Sequence, residues 1–253
     1  MIDFYKFKCF EKYHNLLHAV TNKSINFPYG FSLALHTGEN KEEIIKNRNS
    51  LATFFKSDKN LHFIVANQTH SDHIKIISKK ETKGWKNLEN AIEDCDALIT
   101  NEKEIVLTIL TADCVPILLY DREKEVVAAV HAGWKGTKAK IIAKTVLKMK
   151  EVYGCEPKNI IAAIAPSIGS CCYEVGYDVA EYFLNIPKGY TQVEDKYMLD
   201  LPYINKYQLL KVGVGEENIE MSDVCTACEV DKYFSYRKEQ GCSGRFMSMI
   251  GMV

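Results

Sequence analysis

Three apolar runs crowd the middle of this chain, and the gaps between them are too short to hold a helix. Ile105 to Leu110, Val115 to Tyr120 and Val126 to Val130 are separated by only four and five residues. A parallel pair needs a crossover of roughly a dozen residues or more, so antiparallel pairing is needed here. That spacing argues against a pure doubly wound parallel sheet. Each run is continuous rather than alternating, which is how a strand buried on both faces reads. Phe63-Ile64-Val65 and Ile160 to Ile164 share the pattern.

Helical periodicity lies on either side of these runs. Ile44, Leu51 and Phe55, with Ile45 and Phe54 alongside, share one face of a helix predicted over residues 41–56. Ile141, Thr145 and Met149, flanked by Ile142 and Val146, do the same over 138–152. A third helix is expected to start at Asp200, a good N-cap with Pro202 in the first turn, and to end near Gly213 or Gly215. The expected fold class is therefore α+β (mixed α/β), a sandwich with helices packed outside the sheets. A hydrophobic content of 47% over 253 residues supplies a sizeable core. No linker, low-complexity tract or repeat divides the chain, so one domain over residues 1–253 is expected.

A formal net charge of -1, with basic residues mostly single or in pairs such as Lys79-Lys80, gives no electrostatic reason to expect nucleic acid or membrane partners. No apolar stretch approaches the length of a membrane helix. Met1-Ile2-Asp3-Phe4-Tyr5-Lys6 lacks the features of a secretory signal. Nine cysteines cannot all pair within one chain, and many lie inside apolar runs. Free thiols in a reducing cytoplasm are the expectation.

The chemistry concentrates at three predicted strand ends. His70 closes Asn67-Gln68-Thr69-His70, Cys114 lies in Thr111-Ala112-Asp113-Cys114-Val115-Pro116, and His131 opens His131-Ala132-Gly133-Trp134-Lys135-Gly136. Two imidazoles and a thiol suit a borderline-soft ion such as zinc, and three protein ligands leave a fourth position open, as at catalytic sites. Each residue also has a plain structural reading. His70 alone would be a hydrogen-bonded structural residue; His73 could compete as a ligand if the segment were helical, but Asp72 and Lys75 point to an exposed turn instead. Cys114 would be a small buried hydrophobe, although Asp113 and Pro116 break the strand around it. His131 would belong to an ordinary strand-to-helix connection. That connection, with its glycines, is otherwise a place where an anion is welcome, and Trp134 and Lys135 could contact substrate there.

Arg48 enters the apolar face of the first predicted helix, and its guanidinium needs a partner such as phosphate or a carboxylate. Substrate binding and a structural ion pair are both open. Cys225 and Cys228 form a C-x-x-C. A four-cysteine zinc needs a second such pair, and the adjacent Cys171-Cys172 lacks that spacing. A buried or locally hydrogen-bonded pair is therefore expected.

Taken together, these motifs resemble the polyphenol oxidase (laccase-domain) family, also called multicopper oxidase-like. The resemblance covers most of the chain. It runs from Leu35-His36-Thr37-Gly38 and Asn47-Arg48 through the His70 motif and Asp96-Ala97-Leu98-Ile99-Thr100 to the Cys114 and His131 motifs. It ends on Cys225-Thr226-Ala227-Cys228, Phe234-Ser235-Tyr236-Arg237 and Gly244-Arg245. The resemblance implies a layered α/β/β/α sandwich with mixed sheets, related to the catalytic domain of a deamidating toxin. It implies one zinc held by His70, Cys114 and His131, and purine nucleoside phosphorylase activity with adenosine deaminase activity beside it. Small-molecule purine nucleosides and phosphate would be the partners. Ser71 stands where the family commonly has glycine, and Ser243-Gly244-Arg245 where it has Thr-Gly-Arg.

Other functions compete. Copper with phenolic substrates is compatible with the ligand types. A laccase cluster needs many imidazoles, whereas the seven histidines are dispersed and form no His-x-His. Without a metal, Cys114 and His131 could act as nucleophile and base of an amide hydrolase on cell-wall precursors. A non-catalytic metal-binding module is the remaining option.

Overall fold

The computed structural model describes residues 2–55, 60–241 and 243–253. The strands are β1 (Phe4–Tyr5), β2 (Leu16–Thr21), β3 (His62–Val65), β4 (Ile74–Ile76), β5 (Ala97–Thr100), β6 (Ile105–Thr111), β7 (Val115–Asp121), β8 (Val126–Ala132), β9 (Ile160–Ile164), β10 (Glu174–Val175), β11 (Tyr190–Val193), β12 (Lys196–Leu199), β13 (Ile219–Met221) and β14 (Phe246–Met252). The helices are α1 (Lys8–Glu11), α2 (Lys41–Phe55), α3 (Trp134–Lys138), α4 (Ile141–Tyr153), α5 (Tyr177–Ala180) and α6 (Leu201–Lys211). Among the described residues, no helix is long and apolar enough to cross a membrane.

Two mixed sheets carry the fold. One has the order β1-β2-β14-β6-β3, the other β13-β9-β7-β8-β5-β4, and β10-β12-β11 form a small third sheet. Their central strands have both faces covered, which explains the continuous apolar runs. On β6, Ile105, Leu107 and Ile109 pack between the two large sheets, while Val106 and Leu110 point outward into a cluster with Leu51 and Ala52 of α2. On β7, Leu118 and Tyr120 face the inter-sheet core, and Ile117 and Leu119 face Ile142, Val146 and Ile204 of α4 and α6. The layers are thus α/β/β/α, a mixed α/β fold. The inter-sheet core draws on residues from Phe7 to Met252.

The antiparallel expectation holds for β7 and β8, paired from Val115↔Ala132 to Asp121↔Val126. It fails for β6 and β7, which lie in different sheets. Asp113, at φ +91°, turns the chain from one layer to the other, so a short gap here joins two sheets instead of forming a hairpin. The helix expected over 138–152 begins at Ile141, because Lys140 adopts φ +61° and separates it from the single turn of α3. Helix α2 spans the first prediction, residue 56 lying outside the described residues. The third begins as expected, with Asp200 accepting the Tyr203 N–H at 2.9 Å, and Gly213 follows its end at φ +101°.

Candidate active site

The sheet-to-sheet crossover brings Cys114 to the end of β7, beside the C-terminal end of β8. The pairing of Pro116 with His131 fixes their relative position. His70 comes from the loop after β3 and adopts φ +60°. One ligand atom from each of His70, Cys114 and His131 lies within 4.8 Å of the others. The His70 and His131 rings meet edge to face with centroids 4.8 Å apart, and Cys114 Sγ is 3.9 Å from His70 Nε2. Gly133 permits this approach. A Cβ there would come within 3.1 Å of both Cys114 Sγ and His70 Cδ2.

A buried carboxylate organises the group. Asp96 accepts the His70 N–H at 3.1 Å, the Thr69 N–H at 3.2 Å, and the Ser71 N–H and hydroxyl at 2.7 Å each. Its backbone carbonyl accepts the His131 N–H at 2.7 Å, and Oδ1 lies 2.6 Å from His131 Nδ1. That bond leaves His131 Nε2 as the ring's available donor atom. Burial opposes the Asp96 charge, yet the bonds to His131 and Ser71 hold its carboxyl far below the usual range. Burial also pushes the Cys114 thiol up, but the charge of His131 outweighs it and brings the thiol down to about 6. His131 moves the opposite way. Its burial is outweighed by the Cys114 thiolate and Asp96, which raise it to about 9. These charges favour a thiolate beside an imidazolium, and a cation could take the place of the imidazolium proton.

His70, Cys114 and His131 line a cavity of about 460 Å³. Tyr173, Tyr236, Arg237, Arg245 and His36 share its walls. Asp113 secures one wall, accepting the Arg237 N–H and the Thr226 hydroxyl at 2.7 Å each. Arg237 Nη1 donates to the Glu174 carbonyl at 3.0 Å, and Arg245 Nη1 to the Ser243 and Gly244 carbonyls at 2.6 and 2.8 Å. Asp96, Arg237 and Arg245 carry no site role in the sequence reading, although each lies in a motif that resembles the family.

Several expectations need correcting. Arg48 is fully buried and does not line this cavity. Its Nε donates to the Leu33 carbonyl at 2.8 Å, its Nη1 to Gly84 and Trp85 at 2.6 and 2.9 Å, and its guanidinium lies 5.4 Å from the Trp85 ring. Those contacts are structural, since they tie α2 to two loops. Trp134 and Lys135 do not line the cavity either; Trp134 stacks near Tyr182. The helix after His131 is too short to build an anion site. His73, by contrast, is exposed as expected and pairs with Asp94 at 2.8 Å, outside the three-ligand group. Cys225 and Cys228 are no isolated pair, because Cys171 and Cys172 meet them in a second group. Spacing along the chain could not reveal a pairing made between two loops.

Residues 20–253 match the family model described as multi-copper polyphenol oxidoreductase laccase. The chain belongs to that family. Within it, the chain is 34% identical to the purine nucleoside phosphorylase YlmD of Bacillus subtilis over 224 residues, covering 86% of this chain and 80% of the relative. It is also 34% identical to the adenosine deaminase RL5 of an unknown prokaryotic organism, over 85% of this chain and 84% of that protein. The crystal structure of the hypothetical protein YfiH of Bacillus licheniformis superposes with a TM-score of 0.90 at 32% identity, covering 96% of this chain and 95% of that one. The chain is an enzyme of this laccase-like family.

Proposed function

We propose that this chain is a zinc-dependent purine nucleoside phosphorylase acting as a single domain in the cytoplasm. It would convert adenosine, inosine, guanosine or methylthioadenosine and phosphate to the free base and the sugar 1-phosphate. Adenosine deamination would be its second reaction. One juxtaposition carries the reading: the His70, Cys114 and His131 group shares one cavity with Arg237 and Arg245. Its volume of about 460 Å³ suits a nucleoside-sized ligand.

The donor set fits zinc. Two imidazoles and a thiolate are nitrogen and sulfur ligands, and the Asp96 bond to His131 Nδ1 orients one ring as metal ligands require. Zinc bound by these three residues would keep a position open and supply Lewis-acid polarisation of a substrate oxygen. Arg237 and Arg245 would bind phosphate through charge-assisted hydrogen bonds. Tyr173 and Tyr236 line the same cavity and would supply aromatic surface for a purine. In phosphorolysis a phosphate oxygen bonds to C1′ as the C1′–N9 bond breaks and the base leaves. In deamination water adds at C6 of adenosine and ammonia departs.

Copper is the alternative metal, since the same ligands serve blue-copper sites. A trinuclear laccase cluster is not formed among the described residues, whose two groups of clustered ligands contain only two imidazoles between them. A second reading rests on the Cys114, His131 and Asp96 alignment, which also suits a metal-independent cysteine hydrolase.

Turnover of adenosine by the purified chain, with and without phosphate and before and after chelation, tests the proposal. Products are followed by chromatography beside elemental analysis for zinc and copper. The expected result is phosphate-dependent adenine release that chelation abolishes and zinc restores. Metal-loaded protein that leaves every nucleoside intact overturns it. Amide hydrolysis that persists in chelator and stops on thiol alkylation establishes the cysteine hydrolase instead.

A further inference from the structure

Cys171, Cys172, Cys225 and Cys228 have no part in the chemistry proposed above. The first two lie in the turn after β9, the others in the segment after β13. Their four sulfur atoms all lie within 4.8 Å of one another. Cys228 Sγ is 3.5 Å from Cys172 Sγ and 3.6 Å from Cys171 Sγ. A disulfide would need about 2.05 Å. Four thiolates at about 2.3 Å from one tetrahedral zinc stand roughly 3.8 Å apart, close to the separations found. A multi-iron cluster fits less well, because it spreads its cysteines over several iron atoms.

The backbone is shaped around these sulfurs. Ser167 and Cys225 pair as a parallel bridge, with the Thr226 N–H donating to the Ser167 carbonyl at 3.0 Å, so the two loops run side by side. A single turn closed by the Glu229 N–H on the Cys225 carbonyl, 2.9 Å, brings Cys225 and Cys228 to the same side. In the facing loop the Cys172 and Tyr173 N–H groups both reach the Gly169 carbonyl at 3.0 Å. That tight turn lets two adjacent cysteines serve one centre. Gly169 donates its own N–H to Cys225 Sγ at 3.3 Å, a bond that favours a thiolate. A Cβ on Gly169 would lie 3.4 Å from Cys171 Sγ and 3.3 Å from Cys225 Cβ, so the chain runs tight against the cluster.

We propose that these four cysteines form a second metal site, binding one zinc ion in a closed tetrahedral set of thiolates. Four protein ligands leave no open position, so the site is structural. It joins the loop carrying Ile168 and Tyr173, which line the active cavity, to the loop whose Thr226 bonds Asp113. The ion would clasp one wall of the cavity without touching substrate.

Metal content of the full chain, purified under reducing conditions and measured by elemental analysis and native mass spectrometry, tests this without reading nucleoside turnover. About two zinc ions per chain are expected, one for each ligand group. Cys114→Ala should keep one ion, and cobalt in its place should give the strong charge-transfer absorption of a tetrathiolate centre. Cys225→Ser/Cys228→Ser should lose that absorption and melt several degrees lower while keeping the ion at His70, Cys114 and His131. Cys114→Ala protein without metal overturns the proposal, as does a mass two hydrogens lighter per bridge that marks these cysteines as disulfides. If the double variant does not fold, the cobalt spectrum of Cys114→Ala decides alone. Loss of turnover with the tetrathiolate ion intact counts against the proposed reaction, not against this site.

Discussion

Asp96 Oδ1 stands 2.6 Å from His131 Nδ1, and both side chains are buried. The same carboxylate gathers the N–H groups of Thr69, His70 and Ser71. One side chain therefore fixes the ring of one proposed ligand and the backbone of another.

Asp96→Asn should separate those two duties from charge. Its amide NH₂ would face donors where a carboxylate now accepts, costing roughly 1–3 kcal/mol of stability. Zinc affinity should fall by about 10–100-fold, the usual penalty for losing the partner of a ligating histidine. Competition against a chromophoric chelator measures the affinity, and thermal melting of the metal-free form measures the stability. Unchanged affinity would show that His131 is oriented by the sheet alone.

Gly133→Ala probes the close approach of His70 and Cys114. The added methyl meets Cys114 Sγ and His70 Cδ2 at 3.1 Å, so one ligand must move. Overpacking of this kind costs about 1–3 kcal/mol. Metal should dissociate faster from the variant, as a zinc-release assay would detect. Wild-type release would mean the two ligands have room to part.

Arg48 separates stability from activity. Arg48→Met would leave the carbonyls of Leu33, Gly84 and Trp85 without their donor, and denaturant titration should register a loss on the order of 3 kcal/mol. The KM for phosphate should stay within about twofold of wild type, because the residue does not line the cavity. A raised KM with stability intact would return Arg48 to the substrate.

His18 should govern stability in mild acid. Burial, then the Lys6 charge, pushes it from 6.5 down to about 4, and its neutral Nε2 accepts the Phe7 N–H at 3.1 Å. The unfolded chain thus binds this proton first. Stability is lost as pH falls from about 6.5 and the loss levels off near 4, reaching on the order of 2 kcal/mol at pH 5. His18→Gln, which keeps an acceptor and cannot titrate, should flatten the wild-type slope between pH 7 and 5 in chemical denaturation. Parallel slopes in the two proteins would refute this assignment.

The doubly covered strands were legible because short, unbroken β-branched runs leave no polar face to turn toward water. The ends of the chain were not. Phe246–Met252 has only one β-branched residue, and its pairing with Leu16–Thr21 joins opposite ends of the sequence, so no local pattern marks that contact. The three proposed ligands stood out because His and Cys at strand ends are chemically unusual. Asp96 did not, because a carboxylate beside a strand reads as solvated until the fold buries it. The four-cysteine group was hidden for a related reason. The tight turn at Gly169 lets adjacent cysteines do what a C-x-x-C does elsewhere, and no count of intervening residues shows such a turn.

The crossover at Asp113 gives the site a mechanical property. Cys114 lies in the short crossover that carries the chain from β6 in one sheet to β7 in the other, while His131 belongs to one layer and His70 follows a strand of the other. An ion held by all three would rivet the two layers together at one end. Slippage between the sheets would then be felt first as loosening of the metal, so its release rate is a gauge of how firmly the sandwich is seated.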